Sequence, residues 1–367
     1  MNTIDQLIGK LEKLQVGEES KAYRKGMFRS QRFHKYLPYQ REDDNIFFSA
    51  SIAFLLRKNI GLLEDHQREK VNRIIDGVRA NYPFYSNLKN EFIYNFYHTR
   101  PPKYYPNGYF FSRFKHFKLA DDADDTVIVA LTLQDVPVER IDTIRKNLVQ
   151  FSNLQQKKIK GIGEEYASLP FYATWFGTGK MPIELEICVV CNILYFTFSK
   201  QLELNEQDKA SITLIKMAID SYDIVTKSFE ISGQYPKPSV ILYHIARLCS
   251  VMPNPAAYFD IEKLEAITRG QLKKSSLMEE IFLSIALWQL GKPAVPVEWS
   301  LHAKELKKDF AGFPFFIAPM LSGHSNVLLR YLKKFPLFHI QFRSDAFYYT
   351  ILLEYELLLK VAANTLA

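Results

Sequence analysis

The chain has only three cysteines, Cys188, Cys191 and Cys249, and so small and odd a number cannot supply a disulfide framework. It fits a reducing compartment. No run approaches the roughly 18 uncharged apolar residues that a membrane-spanning helix needs. The opening Met1-Asn2-Thr3-Ile4-Asp5 lacks a basic region followed by a long apolar stretch, so the expectation is a cytoplasmic protein. Strand signals are sparse: few alternating β-branched runs are bounded by tight-turn dipeptides, and Val127-Ile128-Val129 and Val189-Val190 are the ambiguous exceptions. Tryptophan is scarce as well, with 3 Trp against 28 Phe and 21 Tyr. Sugar sites favour stacking Trp, so this balance points to an apolar ligand and an aromatic-lined cavity.

What is present is a large supply of core. Apolar residues make up 47% of the 367 and charged residues 24%, which is far from the signature of disorder. The length exceeds that of most single domains, but barrels and toroids hold this many residues around one core. A net charge of +7 and a pI near 9.0 suit polyanions, diphosphates or acidic membrane surfaces as partners.

The apolar residues fall into a rhythm. Segments 46–56, 126–133, 187–198, 240–251, 281–290 and 347–359 are apolar on nearly every side, as helices buried all round would be. Between them run segments with one apolar stripe: Val71, Ile74, Ile75 and Val78; Ile141, Ile144, Leu148 and Phe151; Ile215, Ile219, Tyr222 and Phe229; Ile261, Leu264 and Ile267. A buried helix joined by a short loop to an amphipathic one packs antiparallel beside it. Six such hairpins predict an all-α fold, an (α/α)6 toroid of inner helices ringed by outer ones. The expected organisation is one toroid domain over 42–367. Residues 1–41 form an amphipathic helix (Ile4, Leu7, Ile8, Leu11) and a basic, aromatic arm packed on the toroid.

The inner segments begin with helix-starting chemistry: Asp43-Asp44-Asn45, Asp121-Asp122-Ala123-Asp124-Asp125-Thr126, Glu184 and Glu186, Ser275-Ser276, and Ser344-Asp345. Capping oxygens and acids belong there because the first amides of a helix are unpaired and its dipole is positive. In a ring these ends would face a common mouth. Four carboxylates in five residues cannot all ionise cheaply, so at least one keeps its proton near neutrality unless a metal or basic groups compensate.

The run Asp122-Ala123-Asp124-Asp125-Thr126 at the start of an inner helix resembles the Asp-x-Asp-Asp-Thr signature of the class II terpenoid cyclases. The resemblance implies an α/α toroid shared with the protein prenyltransferases, and protonation-initiated cyclisation of a prenyl diphosphate or polyprenyl lipid. Asp124 would be the general acid, supported by Asp122 and Asp125. The repeated Gln-to-Trp motifs of the triterpene branch are absent, since Trp175, Trp288 and Trp299 do not sit in them, and no zinc set of the prenyltransferases is evident. The basic and aromatic residues before the cluster, Arg100, Lys103, Arg113, Tyr105 and Tyr109, would bind an anionic head and stabilise a passing carbocation.

Other readings stay open. The aspartates would serve equally as a helix cap on a non-catalytic toroid that binds an apolar ligand or a partner. Asp121, Asp122 and Asp125 also match the Asp-Asp-x-x-Asp of class I isoprenoid synthases, which would bring magnesium with a diphosphate. Asp122, Asp124 and Thr126 match the phosphatase Asp-x-Asp-x-Thr, a motif that ends a buried strand. A second carboxylate set, Asp44, Glu184, Glu186 and Asp345, would converge on the mouth in a carbohydrate-active enzyme with paired carboxylates. Cys188 and Cys191, in Cys-x-x-Cys, and His244 read as core residues, whereas His98 and His116 flank the cluster. The basic arm suits peripheral membrane contact or, lacking any named nucleic-acid fold, a less specific role around the ring.

Overall fold

A computed structural model describes residues 2–20, 22–89, 92–104, 118–177, 183–273, 275–301, 304–321, 329 and 332–366. The protein is mostly helical with little sheet. In chain order its longer elements are α1 (Thr3–Leu14), β1 (Gln31–Phe33), β2 (Gln40–Glu42), α2 (Ile46–Lys58), α3 (Asp65–Arg79), α4 (Ala123–Leu131), α5 (Val138–Gln150), α6 (Ile187–Ser199), α7 (Glu206–Asp220), α8 (Pro238–Cys249), α9 (Ile261–Leu272), α10 (Leu277–Gln289), α11 (Lys304–Gly312), β3 (Phe316–Pro319), β4 (His339–Arg343) and α12 (Asp345–Leu366). No helix among the described residues is long and apolar enough to cross a membrane. All six all-round apolar segments are helical, including the ambiguous Val127-Ile128-Val129 and Val189-Val190.

The chain divides into two compact units, both discontinuous in sequence: 1–32, 40–141 and 343–367 form the first, and 33–39 with 142–342 form the second. In the first unit α2 packs against both α4 and α12, and every residue from Ile46 to Leu56 is buried. A helix walled on two sides has no wet face, which is why α2 carries no apolar stripe. Amphipathic α3 covers α2, and α1 lies on α12 and α3. The contact of α1 with α3 is close: Gln15 Nε2 donates to the carbonyls of Gly26 and Ile74, each at 2.8 Å. Gly26 has φ +88°, and a Cβ there would sit 2.3 Å from the Gly77 carbonyl oxygen. Glycine is required on both counts. The basic arm is not loose, since Tyr23, Met27, Phe28 and Arg32 are buried.

The second unit repeats the plan. Buried α8 lies between α6 and α10, α7 packs on α6, and α9 covers α8 and α10. Cys188 and Cys191 on α6 and Cys249 on α8 are buried within this packing and not joined in disulfides. His244, on α8, is a core histidine: its Nδ1 lies 2.8 Å from the Val240 carbonyl, and burial together with Arg247 pushes its pKa well below the usual imidazole value. An antiparallel pair, β3 with β4, runs from Phe316 opposite Phe342 to Pro319 opposite His339.

Within each unit the buried helices begin at one end. In the first, the extended segment 93–99 runs past two helix starts: the Ile46 amide donates to the Phe96 carbonyl at 3.1 Å, and the Asp122 amide donates to the Tyr94 carbonyl at 2.8 Å. Ser344, just before α12, donates to the Arg29 carbonyl at 2.8 Å, and neighbouring Ser30 donates to the Asp43 carbonyl. In the second, Gln234 reaches the acids before α6, and Lys237 at the start of α8 pairs with Glu279 in the first turn of α10 at 3.0 Å.

Candidate functional site

The aspartate cluster sits where α4 begins. Asp122 is the N-cap: its backbone is extended, and its Oδ1 accepts the amides of Asp124 at 2.7 Å and Asp125 at 3.1 Å. Thr126 closes the turn by donating its hydroxyl to the Asp122 carbonyl at 2.6 Å while accepting the Tyr94 amide at 3.0 Å. Asn95 braces the approach, donating to the Leu119 and Ala120 carbonyls, each at 3.0 Å. Local sequence therefore builds a rigid turn, with an Asp cap, acids in the first turn and a Thr tied to the adjacent strand-like segment.

The side chains in that turn are buried: Asp122 is 5%, Asp124 3% and Asp125 1% exposed. Asp125 stands out because neither carboxyl oxygen has a hydrogen-bond partner among the described residues. Burial, followed by the charges of Asp122 and Asp124, pushes its pKa well above the ordinary carboxylate value. Asp122 is shifted in the same direction by burial and by Asp124, although the two amides it accepts pull the other way. Both shifts run toward keeping the proton, which is the direction that crowding among four carboxylates favours. The resemblance assigns the acid to Asp124, whereas the carboxyl without a hydrogen-bond partner among the described residues lies one residue later, on Asp125.

Asp121, Asp122 and Asp125 do not fit a magnesium site. Asp122 spends Oδ1 on amides, and no group of three His, Cys, Asp or Glu side chains among the described residues is arranged to hold a metal ion.

A second polar network lies at the start of α2. Asp44 accepts from the Tyr85 hydroxyl at 2.7 Å and the Lys103 ammonium at 2.8 Å, and the His98 Nε2 lies 3.0 Å from it. Burial pushes Asp44 up, but His98 and Lys103 together overcome it and hold the carboxyl below its usual range. Beside it Asp43 accepts from the Tyr97 hydroxyl at 2.9 Å and Asn45 at 2.7 Å, with Arg32 Nε 3.6 Å away. Burial dominates there and raises Asp43 despite Arg32. His98 is clamped between rings, stacked at 6.4 Å on Phe84 and edge-on at 4.4 Å to Tyr85. The sequence offered the density of aromatics between 84 and 118 but no spacing that ties Tyr85, Tyr97 and His98 to Asp43 and Asp44.

The remaining predicted residues are dispersed. Lys103 belongs to the Asp44 network, while Arg100 donates to the carbonyls of Asn87 at 3.3 Å and Leu88 at 3.0 Å. Tyr105, Tyr109, Arg113 and His116 lie outside the described residues. Asp345, at the start of α12, is exposed. Glu184 and Glu186 belong to the second unit and have partners there. Glu184 accepts from Trp175 Nε1 at 3.2 Å and Gln234 Nε2 at 3.1 Å; Glu186 accepts the Gln234 amide at 2.6 Å and the Ser232 hydroxyl.

Of the two networks, the Asp44 set has two hydrogen-bond donors, with His98 close by, and its carboxyl is shifted toward the charged form. The α4 turn has a buried carboxyl without a hydrogen-bond partner among the described residues and a pKa shifted upward, which are the properties a Brønsted acid needs. No family model, curated protein or solved structure matches this chain.

Proposed function

We propose that this chain is a terpenoid cyclase-like α/α-toroid protein whose α4 turn protonates an apolar, isoprenoid substrate. The single observation that carries the reading is Asp125, a buried carboxyl with no hydrogen-bond partner among the described residues and a raised pKa. In the proposed step the Asp125 O–H bond breaks as a C–H bond forms on an alkene carbon. A carboxylate and a carbocation result, and the cation later loses a proton or takes up water. Asp122 fixes the turn, and the charge of Asp124 helps keep the proton on its neighbours. Two rows of buried helices, α4–α2–α12 and α6–α8–α10, each with its starts at one end, support the toroid. Three buried cysteines outside any disulfide support a reducing, cytoplasmic location.

The test incubates the purified protein with prenyl diphosphates and with squalene, with and without magnesium, beside Asp124→Asn and Asp125→Asn variants. Cyclic products from the wild type, reduced about 100-fold or more in Asp125→Asn, are expected. Absence of product from every substrate overturns the reading. It would favour the non-catalytic toroid, which the capping role of Asp122 already supports.

A further inference from the structure

Two stretches of this sequence contain no acidic residue, Ser20–Arg41 and Phe310–Ser344. Parts of both meet on one surface of the second unit, and His34 joins them. Its Nδ1 accepts the amides of Tyr36 at 3.1 Å and Leu37 at 3.0 Å. Nε2 therefore carries the hydrogen, and it lies 2.9 Å from the Leu337 carbonyl. The turn at 34–39 is thus fastened to the turn at 335–338. Met320 adjoins them, its amide donating to the Phe338 carbonyl at 2.9 Å just past the last β3–β4 pair.

These tied turns expose Tyr36 (59%), Leu37 (54%), Met320 (49%), Phe335 (45%) and Leu337 (50%). A scattered exposed leucine needs no explanation, but five large apolar side chains on adjoining turns do. The flanking charge is basic: Lys35 is exposed with its Nζ 5.4 Å from the Tyr36 ring, and Lys333 lies 6.0 Å over Phe229. Lys334, also exposed, pairs with Glu230, which is the acid that reaches this edge among the described contacts.

We propose that this face docks the protein on an anionic lipid surface. Tyr36, Leu37, Met320, Phe335 and Leu337 enter the headgroup region while Lys35 and Lys333 face acidic headgroups. Apolar insertion combined with basic flanks is how a peripheral protein gains affinity from both lipid tails and lipid charge. Three of the five inserted side chains are aliphatic and offer no face for stacking on bases, which argues against a single-stranded nucleic acid. Two copies of a basic face would repel, which argues against self-association. The docking face is independent of the acid chemistry of the α4 turn.

The full-length protein would be sedimented with phosphatidylcholine vesicles, with and without phosphatidylserine. Binding to the phosphatidylserine vesicles is expected, weakening as salt is added. A Leu37→Asp/Leu337→Asp double variant should bind about tenfold more weakly or worse. Circular dichroism would check that this variant is folded; if it is not, Lys35→Glu/Lys333→Glu makes the same test on the charged rim. No binding to anionic vesicles, or unchanged binding by folded variants, overturns the proposal. So does a single-stranded oligonucleotide that binds and is displaced by neither vesicle, or a dimer in sedimentation velocity that the double variant abolishes.

Discussion

Asp122 accepts the backbone amide of Asp125 at 3.1 Å, yet the carboxyl of Asp125 itself has no hydrogen-bond partner among the described residues. The two acids share one turn and do opposite things: one satisfies the helix start, and the other is held out of water with nothing to stabilise its charge.

Asp122→Ala removes a cap that satisfies two amides and should destabilise the protein by about 1–2 kcal/mol. Asp122→Asn keeps an acceptor oxygen and removes one of the charges that raise Asp125, so its loss should be smaller. Urea unfolding at neutral pH compares the two.

The raised pKa of Asp125 has a definite sign in the pH dependence of stability. Below about pH 4, folded and unfolded chains both carry the proton and the shift has no effect. As pH rises past that value the unfolded chain releases its proton while the folded turn keeps it, and stability falls. Asp125→Asn should flatten this fall when unfolding free energy is measured across pH. An Asp125→Asn curve parallel to the wild type would contradict the shift.

Asp44 behaves in the opposite sense. Burial is overcome there by His98 and Lys103, so the stability it contributes is present above the unfolded carboxylate pKa and is lost as pH falls through its lowered folded value. Asp44→Ala strands Tyr85, His98 and Lys103 and should destabilise by roughly 3 kcal/mol at neutral pH, with less acid sensitivity remaining. Thermal and urea unfolding at two pH values would measure both effects.

Gly26→Ala should destabilise by about 2 kcal/mol or more, because it combines a left-handed φ with backbone overlap at Gly77. The close contact of Gly77→Ala is with the Gln15 side-chain nitrogen at 2.8 Å, so the substitution displaces a side chain and its hydrogen bonds to Gly26 and Ile74 and leaves the backbone in place. The smaller loss expected there, read from unfolding midpoints, separates backbone from side-chain obstruction.

The six buried helices were legible because burial on every side leaves no polar stripe in the sequence: Ile46 to Leu56 reads as one apolar block and is one. The covering helices were legible for the converse reason, as the stripe of Val71, Ile74, Ile75 and Val78 is the buried face of α3. Short strands were not legible. β3 and β4 are held by pairing between Phe316 and Phe342, partners far apart in the chain, and their lengths leave no room for an alternating pattern. The division into two units, with Phe33–Tyr39 in a different unit from its chain neighbours, likewise has no local signal. At the site, the spacing of four aspartates revealed crowding and a cap. It could not show which acid would lack a partner, because that depends on Tyr94, Asn95 and Thr126 folding around the turn.

A proton held on Asp125 at neutral pH would be read by infrared difference spectroscopy of the wild type against Asp125→Asn at pH 7. A protonated-carboxyl C=O band present in the wild type and missing from the variant is the predicted result. A wild-type spectrum with ionised carboxylates alone, or a protonated band that persists unchanged without Asp125, would contradict it.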